Sequence, residues 1–176
     1  TGGNYMTDGT GSSAASHIAY TENSECNTNN SYGIPLPPCS YVDDIMYDYY
    51  GIDTYHVVAD PNNEYIDHID CWGKFLSSTK LLLREVPSWH PQYEMIEDVA
   101  NYFESIGDWD IFRVYTPSDE PYTNSLILNN KVFVPIMGTG NDQAALSVYE
   151  AAMPDYEILG FTGSWQSTDA LHCRVK

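Results

Sequence analysis

A cysteine near the end of the chain and an upstream histidine and aspartate could together carry out covalent catalysis. Cys173 follows His172, and His68 and Asp70 stand far upstream. A thiol nucleophile needs an imidazole to move protons, and a carboxylate can orient the imidazole or a cationic substrate. Such trios also occur by accident, so spacing alone leaves open a buried structural cysteine beside a surface histidine.

Taken one at a time, these residues have ordinary explanations. His68 alone would more often be a surface or core histidine, and Asp70 alone would be solvated. His68 and Asp70 are separated by one residue, so in a strand they would face the same side and could address one substrate. Four other residues are predicted to be structural. Cys71 would be a small buried residue beside Trp72, and His172 would orient or pack locally. His56 and Asp60 are also expected to be structural.

Composition and charge exclude some classes of partner. With 7 Lys+Arg against 25 Asp+Glu, the net charge is −18. A nucleic-acid partner would need a basic footprint, so it is excluded. The charge favours cationic partners such as arginine-containing peptides, although solubility in a salty environment explains it equally well. No apolar run approaches the ~20 residues of a membrane span, so we expect no membrane association.

The cysteines indicate a disulfide and not a metal site. Cys26 and Cys39 flank a polar, proline-containing stretch, and we expect a disulfide between them. This would place the protein in an oxidising compartment, so we predict a secreted or extracellular protein. The four cysteines include no Cys-x-x-Cys pair and no calcium-loop pattern is present, so we predict no metal and no cofactor.

The elements that must position these residues alternate between strands and helices. Apolar runs predict strands at 14–20, 55–59, 80–86, 110–115, 125–128, 131–135 and 156–161. The segment 66–72 carries His68 and Asp70. Amphipathic stretches predict helices at 41–50, 92–105 and 143–153, with Ser40 and Asn141 as caps and Gly51 and Gly107 as stops. The segment 21–40 is predicted to be a loop. The order strand, strand, helix, strand indicates a mixed α/β protein.

Five motifs, in order along nearly the whole chain, resemble the bacterial peptidylarginine deiminases. They are GGNYM at 2–6, YHVV at 55–58, HIDCWGK at 68–74, YTNSL at 122–126 and TDALHCR at 168–174. The resemblance implies the guanidino-modifying fold, a five-bladed α/β propeller of ββαβ modules. Residues 1–176 would then be the C-terminal portion of one catalytic domain, and 21–40 a Cys- and Pro-containing loop insertion.

The resemblance also implies a role for each site residue. Cys173 would attack the guanidinium carbon, and His68 would protonate the departing ammonia and then act as base for the hydrolytic water. Asp70 would accept hydrogen bonds from the guanidinium nitrogens. Asn124 would lie at the substrate-binding face, and Ile69 and Trp72 are expected to bind substrate as well.

The chemistry of a guanidinium suits these residue types. The group is planar and cationic, with donors in a fixed fork that a carboxylate can hold through two hydrogen bonds. A cation bound beside Cys173 would lower the pKa of its thiol and favour the reactive thiolate. An imidazole such as that of His68 is a suitable proton donor near neutral pH.

The chain begins at a motif that lies inside the family's catalytic domain. A second substrate-binding carboxylate and the arginines that grip the substrate's carboxylate would lie upstream, with about two modules. Thr1-Gly2-Gly3-Asn4 resembles the interior of a protein and not a translation start. We therefore expect either a processed precursor whose N-terminal chain remains associated, or a sequence that is part of a longer molecule.

Two other functions remain open. Agmatine and free-arginine deiminases share the fold, but agmatine enzymes carry a Gly-Asn pair where this chain has residues 168–171 (TDAL), which favours a peptidylarginine substrate. The other possibility is a non-catalytic module that recognises arginine side chains. A pure binder would have no need of the Cys173 thiol.

Overall fold

The computed structural model describes residues 2–26, 33–62, 66, 68–107 and 109–175. Three successive modules of strand, strand, helix and strand make up its architecture. Module 1 contains β1 (Met6–Thr7), β2 (Ser12–Ser16), the short helix α1 (Ile18–Thr21), α2 (Ser40–Tyr50) and β3 (Thr54–Val58). Module 2 contains β4 (Gly73–Phe75), β5 (Lys80–Glu85), α3 (Tyr93–Ile106) and β6 (Asp110–Tyr115). Module 3 contains β7 (Leu126–Leu128), β8 (Lys131–Ile136), α4 (Asp142–Ala152) and β9 (Glu157–Thr162), and α5 (Leu171–Arg174) follows it.

The three sheets have the same topology. In each, the first two strands pair antiparallel and the second and third pair parallel, in the orders β1-β2-β3, β4-β5-β6 and β7-β8-β9. A parallel pair needs a crossover connection, which α2, α3 and α4 supply. The predicted mixed α/β class and the ββαβ order are therefore confirmed.

Each sheet in modules 1 and 2 is buried on both faces. In β5, Leu81 and Leu83 pack in a cluster with residues of α3, whereas Leu82 joins a cluster with residues of α4 from the next module. In β3, Val57 packs with residues of α2, and His56 contacts Phe103 of α3. In both modules, one face of the sheet therefore packs against the helix of the same module and the other face packs against the helix of the following module.

The long elements agree with the sequence predictions. The helices α2, α3 and α4 begin and end within one residue of their predicted bounds. Gly51 ends α2 in the left-handed conformation (φ 65°), which glycine adopts without a steric cost. Asn129, also left-handed (φ 54°), makes the tight turn between β7 and β8.

Two local predictions are wrong, and one turn was not predicted. The expected strand at 14–20 is β2, which ends at Ser16, followed by α1. The segment 66–72 contains an unpredicted 3₁₀ turn at Ile69–Cys71, in which Trp72 N–H donates to the carbonyl of Ile69. Ser40 is the first residue of α2 and makes no capping bond, since Cys39 occupies the cap position. The short strands β1 and β4 were not predicted.

The segment 21–40 contains the end of α1 and a disulfide. Cys26 and Cys39 are bonded, with their Cα atoms 5.4 Å apart, and Cys39 packs against residues of α2. The middle of the predicted loop, 27–32, lies outside the described residues. In the described part of the chain, no helix has the length and apolar character needed to cross a bilayer.

Candidate active site

Asn124 anchors the short helix that carries Cys173. The carbonyl of Asn124 accepts a hydrogen bond from His172 N–H at 3.1 Å, and its Oδ1 accepts one from Cys173 N–H at 3.2 Å. Its Nδ2 donates to Cys173 Sγ at 3.0 Å. The fully buried amide of Asn124 therefore fixes both the backbone and the sulfur of Cys173.

Asp70 lies next to the sulfur, in the 3₁₀ turn Ile69–Cys71. Its side chain is only 2% exposed. Its Oδ2 lies 3.2 Å from Sγ of Cys173 and 2.8 Å from Nδ1 of His172. Thr123 Oγ1 donates a hydrogen bond to the Asp70 carbonyl at 3.2 Å and so stabilises the turn.

His68 reaches the same place from the extended backbone just before the turn. Its side chain interacts electrostatically with Cys173 and Asp70. Gly3 packs directly on the pair: a Cβ at that position would lie 2.5 Å from His68 Nδ1 and 3.1 Å from Asp70 Oδ2. Asn4 Oδ1 accepts from Ile69 N–H at 3.2 Å and ties this segment to the 3₁₀ turn. His68 and Asp70 therefore converge as expected, but through a turn and not through a strand.

Two further side chains at the site were not predicted to be functional. Cys71 is buried as expected, but its thiol lies 3.7 Å from Asp70 Oδ1 and is electrostatically coupled to Cys173. Lys74 in β4 is also buried and interacts electrostatically with Asp70 and Cys173. His172, considered only an orienting or packing residue, contacts the Asp70 carboxylate. The motif 68–74 contains Cys71 and Lys74, but their types alone carry no functional signal.

The surroundings of Cys173 favour its thiolate. A hydrogen bond from Cys71, with others from His68 and Asn124, lowers the pKa of the Cys173 thiol to about 5 against the opposing effects of burial and the Asp70 charge. The hydrogen bond between His68 and Cys173, aided by the Asp70 charge, raises the pKa of His68 although burial opposes it. These opposite shifts favour an imidazolium–thiolate pair at neutral pH.

The pKa of Cys71 is raised and that of Lys74 is lowered, so both shifts favour the neutral form of the side chain. The hydrogen bond to Cys173, burial and the charge of Asp70 raise the pKa of Cys71, so it remains a thiol. Burial lowers the pKa of Lys74 to about 8, while Asp70 and Cys173 act to raise it.

Ile69 and Trp72 are not placed to bind substrate through their side chains. Both are fully buried in a hydrophobic cluster, and the Trp72 indole donates to Asp60 Oδ1 at 2.6 Å. We therefore assign them to the core, which corrects the expectation from the sequence. His56, Nδ1 of which lies 2.8 Å from the Tyr102 hydroxyl, and Asp60 are structural. Among the described residues, no group of three or more His, Cys, Asp or Glu side chains is arranged to hold a metal ion.

The three ββαβ modules define a protein with the pentein-type α/β propeller fold. The chain belongs to the Porphyromonas-type peptidyl-arginine deiminase family, whose model matches residues 2–173.

Solved structures with low sequence identity have the same fold. An arginine deiminase candidate from Porphyromonas gingivalis superposes with a TM-score of 0.79 at 18% identity, covering 98% of this chain and 54% of that one. The agmatine deiminase of Campylobacter jejuni gives 0.77 at 17% identity, with 98% and 53% covered. That of Enterococcus faecalis gives 0.72 at 18% identity, with 92% and 51% covered. The chain thus spans about half the length of these structures, which corresponds to a partial propeller.

Proposed function

We propose that this chain carries the nucleophile, the acid–base histidine and one guanidinium-binding carboxylate of an enzyme that deiminates peptidyl-arginine to peptidyl-citrulline and ammonia. The observation that carries the proposal is the convergence of Cys173, His68 and Asp70, held by Asn124. Family membership supports a deiminase; the peptidyl-arginine substrate is our inference.

Substrate binding would exchange the present partners of Asp70. Its Oδ2 now lies 3.2 Å from Sγ of Cys173 and 2.8 Å from Nδ1 of His172, and these contacts would give way to donors from the guanidinium fork. A carboxylate that is 2% exposed interacts strongly with a cation because little water screens the pair. The bound cation would also neutralise the Asp70 charge, which raises the pKa of Cys173 in the free site.

In the first half-reaction, the Cys173 thiolate adds to the guanidinium carbon and forms a carbon–sulfur bond. His68, held protonated by its raised pKa, gives its proton to one nitrogen, and the bond from carbon to that nitrogen breaks to release ammonia. A thiouronium attached to Cys173 remains.

In the second half-reaction, neutral His68 takes a proton from a water molecule as the water oxygen adds to the same carbon. The carbon–sulfur bond then breaks and the thiolate of Cys173 is restored, while the hydroxyl group on the carbon loses its proton to the solvent and citrulline is released. Asn124 Nδ2, which donates to the sulfur at 3.0 Å, stabilises the thiolate at both ends of the cycle.

A peptide substrate is favoured over agmatine or free arginine by two features. Residues 168–171 read TDAL where agmatine enzymes have a Gly-Asn pair. The net charge of −18 would attract cationic peptides over a distance. The solved agmatine deiminases share less than a quarter of their residues with this chain, so they bear on its fold and not on its substrate.

The proposed enzyme also requires a partner and an oxidising compartment. An N-terminal chain of the same precursor would supply the remaining modules and the second substrate-binding carboxylate. The disulfide between Cys26 and Cys39 supports a secreted or extracellular location.

The experiment measures citrulline released from an arginine-containing peptide, with agmatine and free arginine assayed in parallel and a Cys173→Ala control. We expect release from the peptide that is abolished in the control. Better turnover of agmatine would contradict the substrate proposal.

A second readout separates an inactive fragment from a non-catalytic binder. Haloacetamidines mimic the guanidinium and alkylate a thiolate beside it. We expect alkylation at Cys173, reduced in Asp70→Asn. If Cys173 in the folded protein does not react even when the proposed upstream chain is present, the enzyme proposal is wrong.

A further inference from the structure

We propose that Cys71 is a second redox-active thiol of the site, which hydroperoxides join to Cys173 in a reversible disulfide that turns the site off. The inference rests on the proposed function, in which Cys173 is the nucleophile. It gives a chemical role to a buried thiol that the deimination steps above do not use.

The positions of the two sulfurs carry the inference. The Cys173 sulfur lies 3.2 Å from Oδ2 of Asp70 and the Cys71 sulfur lies 3.7 Å from Oδ1 of the same carboxylate. Electrostatic coupling between the two thiols agrees with this placement. Neither is engaged in a disulfide, whereas Cys26 and Cys39 are bonded. A disulfide would therefore join two free sulfurs that already lie at the two oxygens of one buried carboxylate.

The two thiols differ in the way that a peroxide-reactive and a resolving cysteine differ. Cys173 is partly exposed, and its pKa of about 5 makes it a thiolate that can meet peroxide from solution. Cys71 is 1% exposed and its pKa is raised, so it is not attacked directly but is available to a neighbouring sulfenic acid.

The reaction balances with hydrogen peroxide, the simplest hydroperoxide, as oxidant. The Cys173 thiolate attacks one peroxide oxygen, a sulfur–oxygen bond forms, the oxygen–oxygen bond breaks, and the departing hydroxide becomes water by taking the proton that Cys173 had lost to the solvent. The Cys71 sulfur then attacks the sulfenic sulfur: the sulfur–sulfur bond forms, the sulfur–oxygen bond breaks, and the hydroxide leaves as water with the Cys71 proton. The peroxide is reduced to two waters as the thiols become a disulfide.

The disulfide would inactivate the enzyme and would also protect Cys173 from further oxidation. It removes the nucleophile and both sulfur contacts to Asp70. It also prevents oxidation of Cys173 to sulfinic and sulfonic acids, which thiols do not reduce. Dithiothreitol would restore the original site.

The test treats the purified protein with hydrogen peroxide and analyses it by non-reducing mass spectrometry, with the Cys26–Cys39 disulfide as an internal reference. We expect the mass to fall by two hydrogen atoms, a linked peptide containing Cys71 and Cys173, and full recovery of the Cys173 thiol after dithiothreitol. In Cys71→Ser, we expect Cys173 to gain oxygen atoms and to lose its thiol irreversibly.

Wild-type protein that accumulates the same oxygen-bearing Cys173 without a linked peptide would overturn the inference, and this result does not depend on the folding of any variant. The readout is independent of turnover. A linked peptide in protein that releases no citrulline even with the proposed upstream chain would sustain the redox inference and count against the proposed function. Citrulline release without the link would do the reverse.

Discussion

The neighbouring side chains determine the ionisation state of the Cys173 thiol. Donors from Cys71, His68 and Asn124 surround the sulfur, and the nearby Asp70 opposes them. The donors prevail, so the free site holds a reactive thiolate before any substrate arrives.

The first prediction concerns the pH dependence of alkylation at Cys173. Because its pKa is lowered to about 5, the rate of iodoacetamide modification should rise through an inflection near pH 5 and then level off. Below the inflection the thiol predominates, and above it the thiolate does. Mass spectrometry of the Cys173 peptide measures the rate, and His68→Ala should move the inflection upward. An inflection near the ordinary thiol value of ~8.5 in the wild type would contradict the structure.

The second prediction separates the two functions of the Asn124 amide. Asn124→Asp keeps an oxygen for the Cys173 N–H but replaces the Nδ2 donor with negative charge beside the sulfur. Asn124→Ala removes both contacts. The pKa of Cys173 should rise in both variants and more in Asn124→Asp. Only Asn124→Ala should leave the backbone N–H without its partner, at a cost of about 1–3 kcal/mol.

Alkylation profiles and chemical unfolding of the two Asn124 variants measure these effects separately. If the Cys173 pKa is unchanged in Asn124→Asp, the amide does not stabilise the thiolate.

At the scale of elements, the turn Gly2–Asn4 controls the position of His68. The Cβ of an alanine at position 3 would lie 2.5 Å from Nδ1 of His68, a distance that real contacts do not reach. The third prediction is therefore that Gly3→Ala displaces His68 and lowers kcat. Gly2→Ala is the matched control, because a Cβ there meets no atom within 4 Å. Equal kcat values in the two variants, measured by citrulline release, would mean that the turn does not position His68.

The elements also show how far the sequence could predict the structure. The helices α2, α3 and α4 carry long amphipathic patterns and were located to within a residue. The 3₁₀ turn Ile69–Cys71 was not predicted because its stabilising contact, from Ile69 N–H to Asn4 Oδ1, joins distant parts of the chain. Local propensity holds no information about such a contact.

The same distinction applies to the site. The quoted motifs pointed to Cys173, His68, Asp70 and Asn124, and the structure brings all four together. The motifs also pointed to Ile69 and Trp72, whose apolar side chains are buried in the core. The placement of Cys71 and Cys173 at the same carboxylate could not be predicted, because it depends on how the turn Ile69–Cys71 and α5 meet.

At the scale of the whole molecule, the sheet of module 3 differs from the other two sheets, because only one of its faces packs against a crossover helix in the described part of the chain. Val132 and Val134 of β8 pack against residues of α4. The register places Phe133 of β8 and Leu159 of β9 on the opposite face, where Phe161 is 49% exposed. In modules 1 and 2 the corresponding face is covered by the helix of the following module. The face in module 3 thus has the composition to receive a helix from another ββαβ module.

The fourth prediction is that the proposed upstream chain covers this face of module 3. Phe161→Asp should place a charge in the contact and weaken association with that chain by roughly 2 kcal/mol or more, as the loss of a central apolar anchor does. Trp89→Asp is the control, since Trp89 is 75% exposed but lies in the connection between β5 and α3. Titration calorimetry measures both affinities, and size-exclusion chromatography of the chain alone shows whether a second copy takes the place of the partner. Equal weakening by the two substitutions would indicate that charge alone opposes association, because the chain already carries a net charge of −18. A loss confined to Phe161→Asp would instead locate the missing module on the open face of the third sheet and close the propeller there.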